Sequence, residues 1–375
     1  MAGIYIHVPF CQSRCIYCDF YSTTLPASWH MPYVEAVARE MQMRADHQPV
    51  PTLYIGGGTP SQLSVEALRR LFGAVADELT LVPNAEVTIE ANPDDITPQW
   101  IEALRQTPVN RISMGIQSLS DPILRTLRRR HSAQQALRAI DLLQQAGYHN
   151  ISADLIYGLP GQSLRQFADD VSQLISLGIP HLSAYALQFE EGTALMAMKQ
   201  AGTLSEADEE LSLACYECLI DLTAEAGLEH YEISNFARPG FRSRHNSSYW
   251  TMAPYIGLGA GAHSYQPDSA TRSYNCEDAV SYIATINNGS LPSTAERLTN
   301  DDRYNELVML SLRTCEGLSL SQLEHQFGRK RLDYCLHMAK GHIDGGRLRK
   351  TADEALCLTR RGLFVSDDII SDLMV

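Results

Sequence analysis

The sequence has no long hydrophobic run. No stretch of its 375 residues approaches the unbroken apolar length of about 18 residues that indicates a membrane-spanning helix. The first residues, MAGIY, carry no basic region followed by an apolar one, which is the pattern of a secretory signal. We therefore expect a cytoplasmic protein that does not span a membrane.

Positive charge is also scarce. The chain has 30 Lys and Arg against 44 Asp and Glu, a formal net charge of -14. Broad binding to a nucleic acid backbone requires clustered Lys and Arg, so we expect no nucleic acid partner. One local exception is the basic run RTLRRRH at residues 125–131. It fits either the solvated end of a helix or a site that holds anionic carboxylates.

Three of the nine cysteines lie within eight residues, at Cys11, Cys15 and Cys18, directly after the strand-like segment GIYIHVPF. Three thiolates on one short loop can hold three irons of a four-iron four-sulfur cluster and leave the fourth iron open to a small molecule. A structural zinc site normally takes four protein ligands, and the nearest histidine, His7, lies one strand upstream. A disulfide is a weaker alternative, because three clustered cysteines do not suggest an oxidising compartment. The spacing favours the iron-sulfur cluster.

A second CxxC spacing, Cys215 and Cys218, lies inside the helical run EADEELSLACYECLIDLTAEAG. There a three-residue offset is also the period of a buried helix face, which favours core packing. The remaining cysteines are isolated in the sequence, and lone cysteines usually behave as small buried apolar residues.

From residue 3 to about residue 188, short runs rich in Ile, Val and Tyr alternate with stretches of helical period. This pattern predicts βα units with a parallel sheet. The predicted strands are GIYIHV, TLYIGG, EVTIEAN, RISMGIQS, NISADLIYG and HLSAYALQ. The predicted helices include MPYVEAVAREMQMRAD, SVEALRRLFGAVADEL, PQWIEALRQ, SAQQALRAIDLLQQAG and SLRQFADDVSQLISLG. Six units allow either a partial barrel or an open, doubly wound sheet.

Unusual residues follow each of these strands, where parallel α/β folds place their chemistry. GGGTP at residues 56–60 follows the second strand and fits either a tight turn or a backbone cradle for a ligand. Glu90, Gln117 and Asp154 stand near the ends of later strands. The two acids could accept hydrogen bonds from ribose hydroxyls or simply cap helices.

These motifs together resemble the radical S-adenosylmethionine (SAM) enzymes, in which the amino and carboxylate groups of SAM bind the open iron. The resemblance covers nearly the whole chain and is strongest to the oxygen-independent coproporphyrinogen III dehydrogenases and the heme chaperones related to them. It is carried by YIHVPFCQSRCIYCDF, YIGGGTPS, IEANP, RISMGIQS, ADLIYGLPGQ and GLGAGAHSY. It implies contacts to the SAM on the cluster at Tyr5, Gly57 and Glu90. It implies contacts that the dehydrogenases make to a second SAM at Tyr17, Gly58, Thr59, Gln117, Arg129, Asp154 and Ala186.

Two departures favour the chaperones over the dehydrogenases. The dehydrogenases carry a fourth cysteine two residues beyond the third, where this chain has Phe20, and a long extension before the first strand, which here starts at Gly3. HNSSYW at residues 245–250 also matches the motif HNxxYW that marks the chaperones and is associated with heme. A neutral imidazole can be an axial ligand of heme iron, which makes His245 a candidate ligand. His263, in GAGAHS, is a second candidate.

After about residue 230 the sequence becomes rich in Gly, Tyr, His and Asn, which predicts strands and loops that close over a site, with HNSSYW in a loop. From Thr299 onward, short helices are followed by a hairpin with its turn at residues 352–354. We expect three parts: a partial radical SAM barrel at residues 1–230, a strand and loop extension at 231–298, and a winged-helix-like domain at 299–375.

The resemblance implies an α/β fold with a partial (β/α)6-type barrel, a four-iron four-sulfur cluster, SAM and heme. We expect a heme chaperone without dehydrogenase activity, which delivers heme to an unidentified acceptor protein. The alternative is a dehydrogenase that cleaves SAM reductively and oxidatively decarboxylates two propionates. An electron donor is a further expected partner, because the cluster must be reduced for that cleavage.

Overall fold

The structure is a computed structural model that describes residues 1–44 and 47–375. Its first half alternates strands and helices, as predicted. Strands β1 to β6 are Gly3–Val8, Pro49–Gly57, Thr80–Ala91, Arg111–Gln117, Ile151–Tyr157 and His181–Ala186. Helices α1 to α6 are His30–Arg44, Val65–Glu78, Pro98–Leu104, Asp121–Thr126, Ala133–Gln145 and Leu164–Ser176. The last two residues of the first predicted helix lie outside the described residues.

The helices begin where the sequence supplies capping groups. Ser64 accepts a hydrogen bond from the backbone N–H of Ala67 at the start of α2. Ser132 and Gln135 cap each other's backbone groups at the start of α5. Each cap satisfies N–H groups that have no partner within the helix, which fixes where the helix begins.

Strands β1 to β6 pair in parallel and in sequence order. Right-handed crossovers between successive strands put all the helices on one face. A doubly wound sheet instead reverses its strand order at a switch point, and no such reversal occurs among β1 to β6. The sheet also stays open, because β1 pairs with a later strand rather than with β6. The partial barrel is therefore confirmed.

The next segment adds strands to both edges of this sheet. Helices α7 to α10 are Ala194–Gln200, Glu209–Glu225, Arg244–Trp250 and Ala279–Asn287. Strands β7 to β12 are Glu229–Glu232, Asn235–Ala237, Tyr255–Leu258, His263–Gln266, Thr271–Asn275 and Ser293–Arg297. Strand β8 pairs with β6 and β9 pairs with β1, which gives one twelve-stranded sheet. The prediction of HNSSYW as a loop is wrong, because it forms α9, capped by Ser243.

The C-terminal part has its own small sheet and its own cluster of buried side chains. Helices α11 to α15 are Asn300–Leu312, Leu320–Phe327, Arg329–Asp344, Arg360–Leu363 and Ser366–Leu373. Strands β13 to β15 are Leu318–Ser319, Leu348–Lys350 and Ala355–Leu358. They form an antiparallel sheet in the order β13-β15-β14, and β14 and β15 are the predicted hairpin. The division at residues 230 and 298 stays a prediction. No helix of residues 1–44 and 47–375 is both long and apolar enough to cross a membrane.

One buried carboxylate joins α1 to the added strands. The side chain of Glu40 is fully buried and pairs with Arg44 at 3.1 Å. It also accepts hydrogen bonds from the Gly259 N–H, the Asn275 amide and the Tyr282 hydroxyl. Gly259 has φ of +99°, and a Cβ there would lie 2.6 Å from the Tyr33 hydroxyl. This network holds the turn between β9 and β10 against helix α1.

We predict that Glu40→Gln lowers the free energy of unfolding by about 3–5 kcal/mol, because it leaves a buried Arg44 charge without its partner. The matched control is Glu35→Gln on the same helix. Glu35 pairs with Arg70, but both side chains are more than a third exposed, so its loss is expected to be about 0–1 kcal/mol. Urea unfolding followed by circular dichroism measures both losses. Equal losses would contradict the prediction.

Candidate functional site

A cavity of about 880 Å³ opens at the carboxyl ends of strands β1 to β6. The parallel pairing brings the strand-end residues of the sequence together there, as predicted. Twelve of the fifteen predicted site residues line it: Cys11, Cys15, Tyr17, Cys18, Gly57, Gly58, Thr59, Glu90, Gln117, Arg129, Asp154 and Ala186. The other three, Tyr5, His245 and His263, lie elsewhere.

The three cysteines lie on the loop between β1 and α1, and their thiols are free. The base of this loop is fixed by hydrogen bonds from the Cys11 N–H to the Thr23 carbonyl, at 2.9 Å, and from the Thr23 N–H to the Pro9 carbonyl, at 2.7 Å. Burial raises the pKa of the Cys11 thiol, and it raises that of Cys18 to about 11. Bound iron would offset this cost, because a coordinating thiol is deprotonated by the metal.

The placement of the thiols fits a cluster better than a single ion. Within residues 1–44 and 47–375, no three His, Cys, Asp or Glu side chains converge closely enough to hold one metal ion. A zinc ion would require such convergence. A four-iron cluster does not, because each cysteine binds a different iron. The loop therefore satisfies the donor set of a cluster with one open iron.

Arg129 connects the cysteine loop to the strand ends. Its guanidinium donates to the Cys15 sulfur at 3.3 Å and to the Asn92 side-chain oxygen and the Gly115 carbonyl, both at 2.6 Å. The neighbouring Arg130 instead pairs with Asp94, at 3.0 Å. Of the predicted basic run, then, Arg129 faces the cavity, and Arg130 secures the turn after β3.

Two half-buried acids face the same cavity. Glu90 accepts hydrogen bonds from the Tyr54 hydroxyl at 2.7 Å and from the Gly57 N–H at 3.0 Å. Asp154 accepts from Ser113 and Ser152 at 3.3 Å. Burial raises the pKa of Glu90 to about 7 and that of Asp154 to about 6. Perturbed acids of this kind concentrate at binding sites.

The glycines of GGGTP are explained first by the protein itself. Gly57 has φ of +113°, and a Cβ on it would meet the His7 ring at about 2.5 Å. A Cβ on Gly58 would lie 2.6 Å from the Pro9 backbone. Close packing of this segment against β1 and the residues after it therefore requires both glycines. Both also line the cavity, which leaves the cradle as a prediction.

Gln117 and Thr59 are placed by local backbone features. The pairing of β4 with β5 shifts register between Gly115 and Gln117, and Gln117 has φ of +67°. Such bulges redirect a side chain and are common next to functional sites. The Thr59 hydroxyl lies 3.5 Å from the Cys11 sulfur and 3.4 Å from the Asn92 amide.

The three remaining predicted residues do not line this cavity. Tyr5 and His263 line a smaller cleft of about 510 Å³ that also touches the cysteine loop at Asp19 and Phe20. His245 is fully buried. Its ring nitrogens are hydrogen-bonded to the Thr52 hydroxyl at 2.9 Å and to the Tyr249 hydroxyl at 2.8 Å. Burial lowers its pKa to about 3. In this conformation neither nitrogen is available to a heme iron.

Sequence reasoning missed several residues of the cavity. Arg111 is the first residue of β4, and only 1% of it is exposed. Its Nε and one terminal nitrogen have no hydrogen-bond partner among the described residues. The sequence carried one signal for Arg111, because a charged residue at the start of an apolar strand is unusual. Arg313 and Phe364 come from the C-terminal part, and no local pattern marks them, because only tertiary packing brings them to the cavity.

The open barrel and the three-cysteine loop define a radical SAM protein. Residues 5–174 match the sequence model of the radical SAM superfamily, and residues 298–365 match that of the HemN C-terminal domain. The chain belongs to the HemW family within this superfamily, as the following relatives show.

It is 36% identical to heme chaperone HemW of Lactococcus lactis subsp. lactis, over 86% of this chain and 84% of that protein. It is also 36% identical to heme chaperone HemW of Mycobacterium tuberculosis, over 99% of this chain and 94% of that protein. The solved coproporphyrinogen III oxidase (HemN) of Escherichia coli superimposes with a TM-score of 0.85 at 22% identity. That alignment covers 100% of this chain and 90% of HemN and shows a shared fold.

We predict that Glu90 makes the stability of the metal-free, SAM-free protein depend on pH. Its pKa of about 7 exceeds the ordinary value of about 4.3, so the folded state binds more protons between these pH values. Stability therefore falls as the pH rises through this window. Relative to Glu90→Gln, the wild-type protein should lose about 3 kcal/mol between pH 4 and pH 8, at about 1.4 kcal/mol per pKa unit.

Urea unfolding measures this difference in unfolding free energy at each pH. For the control Glu66→Gln the difference should not change with pH, because Glu66 is exposed. Asp154 raises the pKa of Glu90 through charge repulsion, so the Glu90 difference includes the coupling between the two acids. The usual size of a surface effect is about 0.5 kcal/mol. If the difference in unfolding free energy between wild type and Glu90→Gln changes by less than this between pH 4 and pH 8, the raised pKa of Glu90 is refuted.

Proposed function

We propose that this protein is a heme chaperone that holds a four-iron four-sulfur cluster, binds SAM and heme, and passes heme to an acceptor protein. The observation that carries this proposal is the 36% identity to heme chaperone HemW over 99% of the chain. The geometry supports it, because the three cysteines and all the implied SAM-contacting positions except Tyr5 line one cavity.

In this proposal Cys11, Cys15 and Cys18 each bind one iron of the cluster. When reduced, the bound cluster supplies one electron for cleavage of SAM. Arg129 places positive charge beside Cys15, which stabilises a negatively charged thiolate.

The residues around SAM bind and orient it rather than react. Glu90 and Asp154 are hydrogen-bond acceptors suited to ribose hydroxyls or an ammonium group. Gly57 and Gly58 allow the backbone to approach the ligand closely. Tyr17, Thr59, Gln117 and Ala186 complete the wall. Tyr5 lines the smaller cleft, and its ring centroid lies 6.1 Å from that of Tyr54, which lines the large cavity.

We place the protein in the cytoplasm, because cluster thiolates require a reducing compartment. An electron donor and a heme acceptor are its proposed protein partners.

The second candidate is a coproporphyrinogen III dehydrogenase, favoured by the fold shared with HemN at a TM-score of 0.85. The site argues against it at one position. Phe20 stands two residues beyond Cys18 and lies at the cavity wall, where the dehydrogenases carry a further cysteine. We therefore propose that no such reaction is catalysed.

We predict that Cys11→Ala, Cys15→Ala and Cys18→Ala each remove most of the iron and sulfide from the reconstituted protein, because each deletes one cluster ligand. Matched controls are Cys215→Ala and Cys218→Ala in α8. Cys215 is fully buried in the core, so its loss affects packing and not iron content. Iron and sulfide assays with far-ultraviolet circular dichroism separate the two effects. If the variant that combines all three substitutions keeps its full iron content, these cysteines do not hold the cluster.

We predict that the reduced, cluster-loaded protein yields no protoporphyrinogen from coproporphyrinogen III and SAM, and does not complement a strain lacking the dehydrogenase. It should bind ferric heme under the same conditions. Porphyrin chromatography and heme absorption measure the two properties in one preparation. Decarboxylation over many turnovers would overturn the chaperone assignment in favour of the enzyme.

A further inference from the structure

The smaller cleft lies beside the cysteine loop, between strands β9 to β11 and helix α11. Its volume of about 510 Å³ is that of a pocket for a medium-sized organic ligand. Aromatic and thioether side chains dominate its wall, among them Met252, Tyr255, Tyr265, Met309 and Leu310. Met309 is 37% exposed. Flexible methionines and aromatic rings are well suited to a flat apolar surface.

Three histidines lie in or beside this cleft, and they differ in whether their ring nitrogens are free. His7 is bonded at Nδ1 to the Tyr5 hydroxyl and at Nε2 to the Tyr21 carbonyl, both at 3.0 Å. His245 is bonded at both nitrogens, as described above. The ring nitrogens of His263 have no hydrogen-bond partner within the described part of the chain, and its ring lies beside the Tyr274 ring, at 5.6 Å between centroids.

His263 is also held in place and uncharged. It is the first residue of β10 and is exposed, directly after the turn fixed by Glu40 and Gly259. Burial lowers its pKa, so the imidazole is neutral at pH 7. A neutral imidazole with a free nitrogen is the form that binds a metal.

Charge and apolar exposure at the rim fit a macrocycle that carries carboxylates at one edge. Arg272 lines the cleft and is paired with Glu306, and about a third of its side chain is exposed. The other charged residues that line the cleft, Asp19 and Glu277, are acidic. A carboxylate is therefore accommodated only near Arg272. Phe20 lies at the opposite wall with 67% of its surface exposed, which leaves an unpaired aromatic ring for stacking.

We infer that this cleft is the heme site, with His263 as an axial ligand of the iron and Arg272 at one propionate. This inference rests on the proposed function and deepens it. Asp19 and Phe20 line both the cleft and the large cavity, so heme and cluster lie on opposite sides of one loop. His245 has a different role here: it orients Tyr249, which lines the cleft.

The test is a titration of the full-length, cluster-loaded protein with ferric heme, followed at the Soret band. His263→Ala should shift the band and raise the Kd by about tenfold or more, since each tenfold corresponds to about 1.4 kcal/mol. Added imidazole should restore the wild-type band position, because it supplies the missing ligand. Met309→Gln should raise the Kd without shifting the band. The exposed histidine of α13, replaced in His337→Ala, is the matched control and should behave as wild type.

Iron content and the SAM-induced change in the cluster's electron paramagnetic resonance signal verify that each variant is folded. If wild type binds heme and neither His263→Ala nor Met309→Gln differs from it, the site is wrong and the proposed function stands. If only His245→Ala loses the Soret band of bound heme, the axial ligand is His245 in α9 and not His263. If wild type binds no heme, the proposed function itself fails.

Discussion

Parallel pairing of six strands in sequence order is the constraint on which the rest of this molecule depends. Strands β1 to β6 run side by side without a reversal. Each strand must therefore return by a crossover on the same face, and all carboxyl ends reach one edge. Strand-end residues as far apart as Cys11 and Ala186 line one cavity for this reason. The curvature of the open sheet leaves room for a ligand inside it.

The cysteine loop contributes to the walls of both cavities. Asp19 and Phe20 line the large cavity and also the cleft with His263. The buried Glu40 fixes the turn before His263 through hydrogen bonds that reach back to helix α1. Because α1 follows the cysteine loop directly, the loop and the turn are anchored to the same helix.

One fold serves both a chaperone family and an enzyme family. The chain and HemN share this fold, with a TM-score of 0.85 over 100% of this chain. Phe20 replaces a potential metal ligand with an exposed aromatic ring. A phenyl group cannot bind iron, but it can pack on a porphyrin.

Local patterns in the sequence determined the six strands, the intervening helices and the cysteine loop, because strand alternation, helical period and cap residues act over a few neighbouring positions. They also placed Glu90 and Asp154 at strand ends. They did not predict the structure of HNSSYW. This segment forms a helix whose histidine is hydrogen-bonded to Thr52 and Tyr249. Nor did they reveal Arg313 at the cavity or the free nitrogens of His263. Burial and hydrogen-bond partners depend on residues hundreds of positions apart, and only the folded chain brings those together.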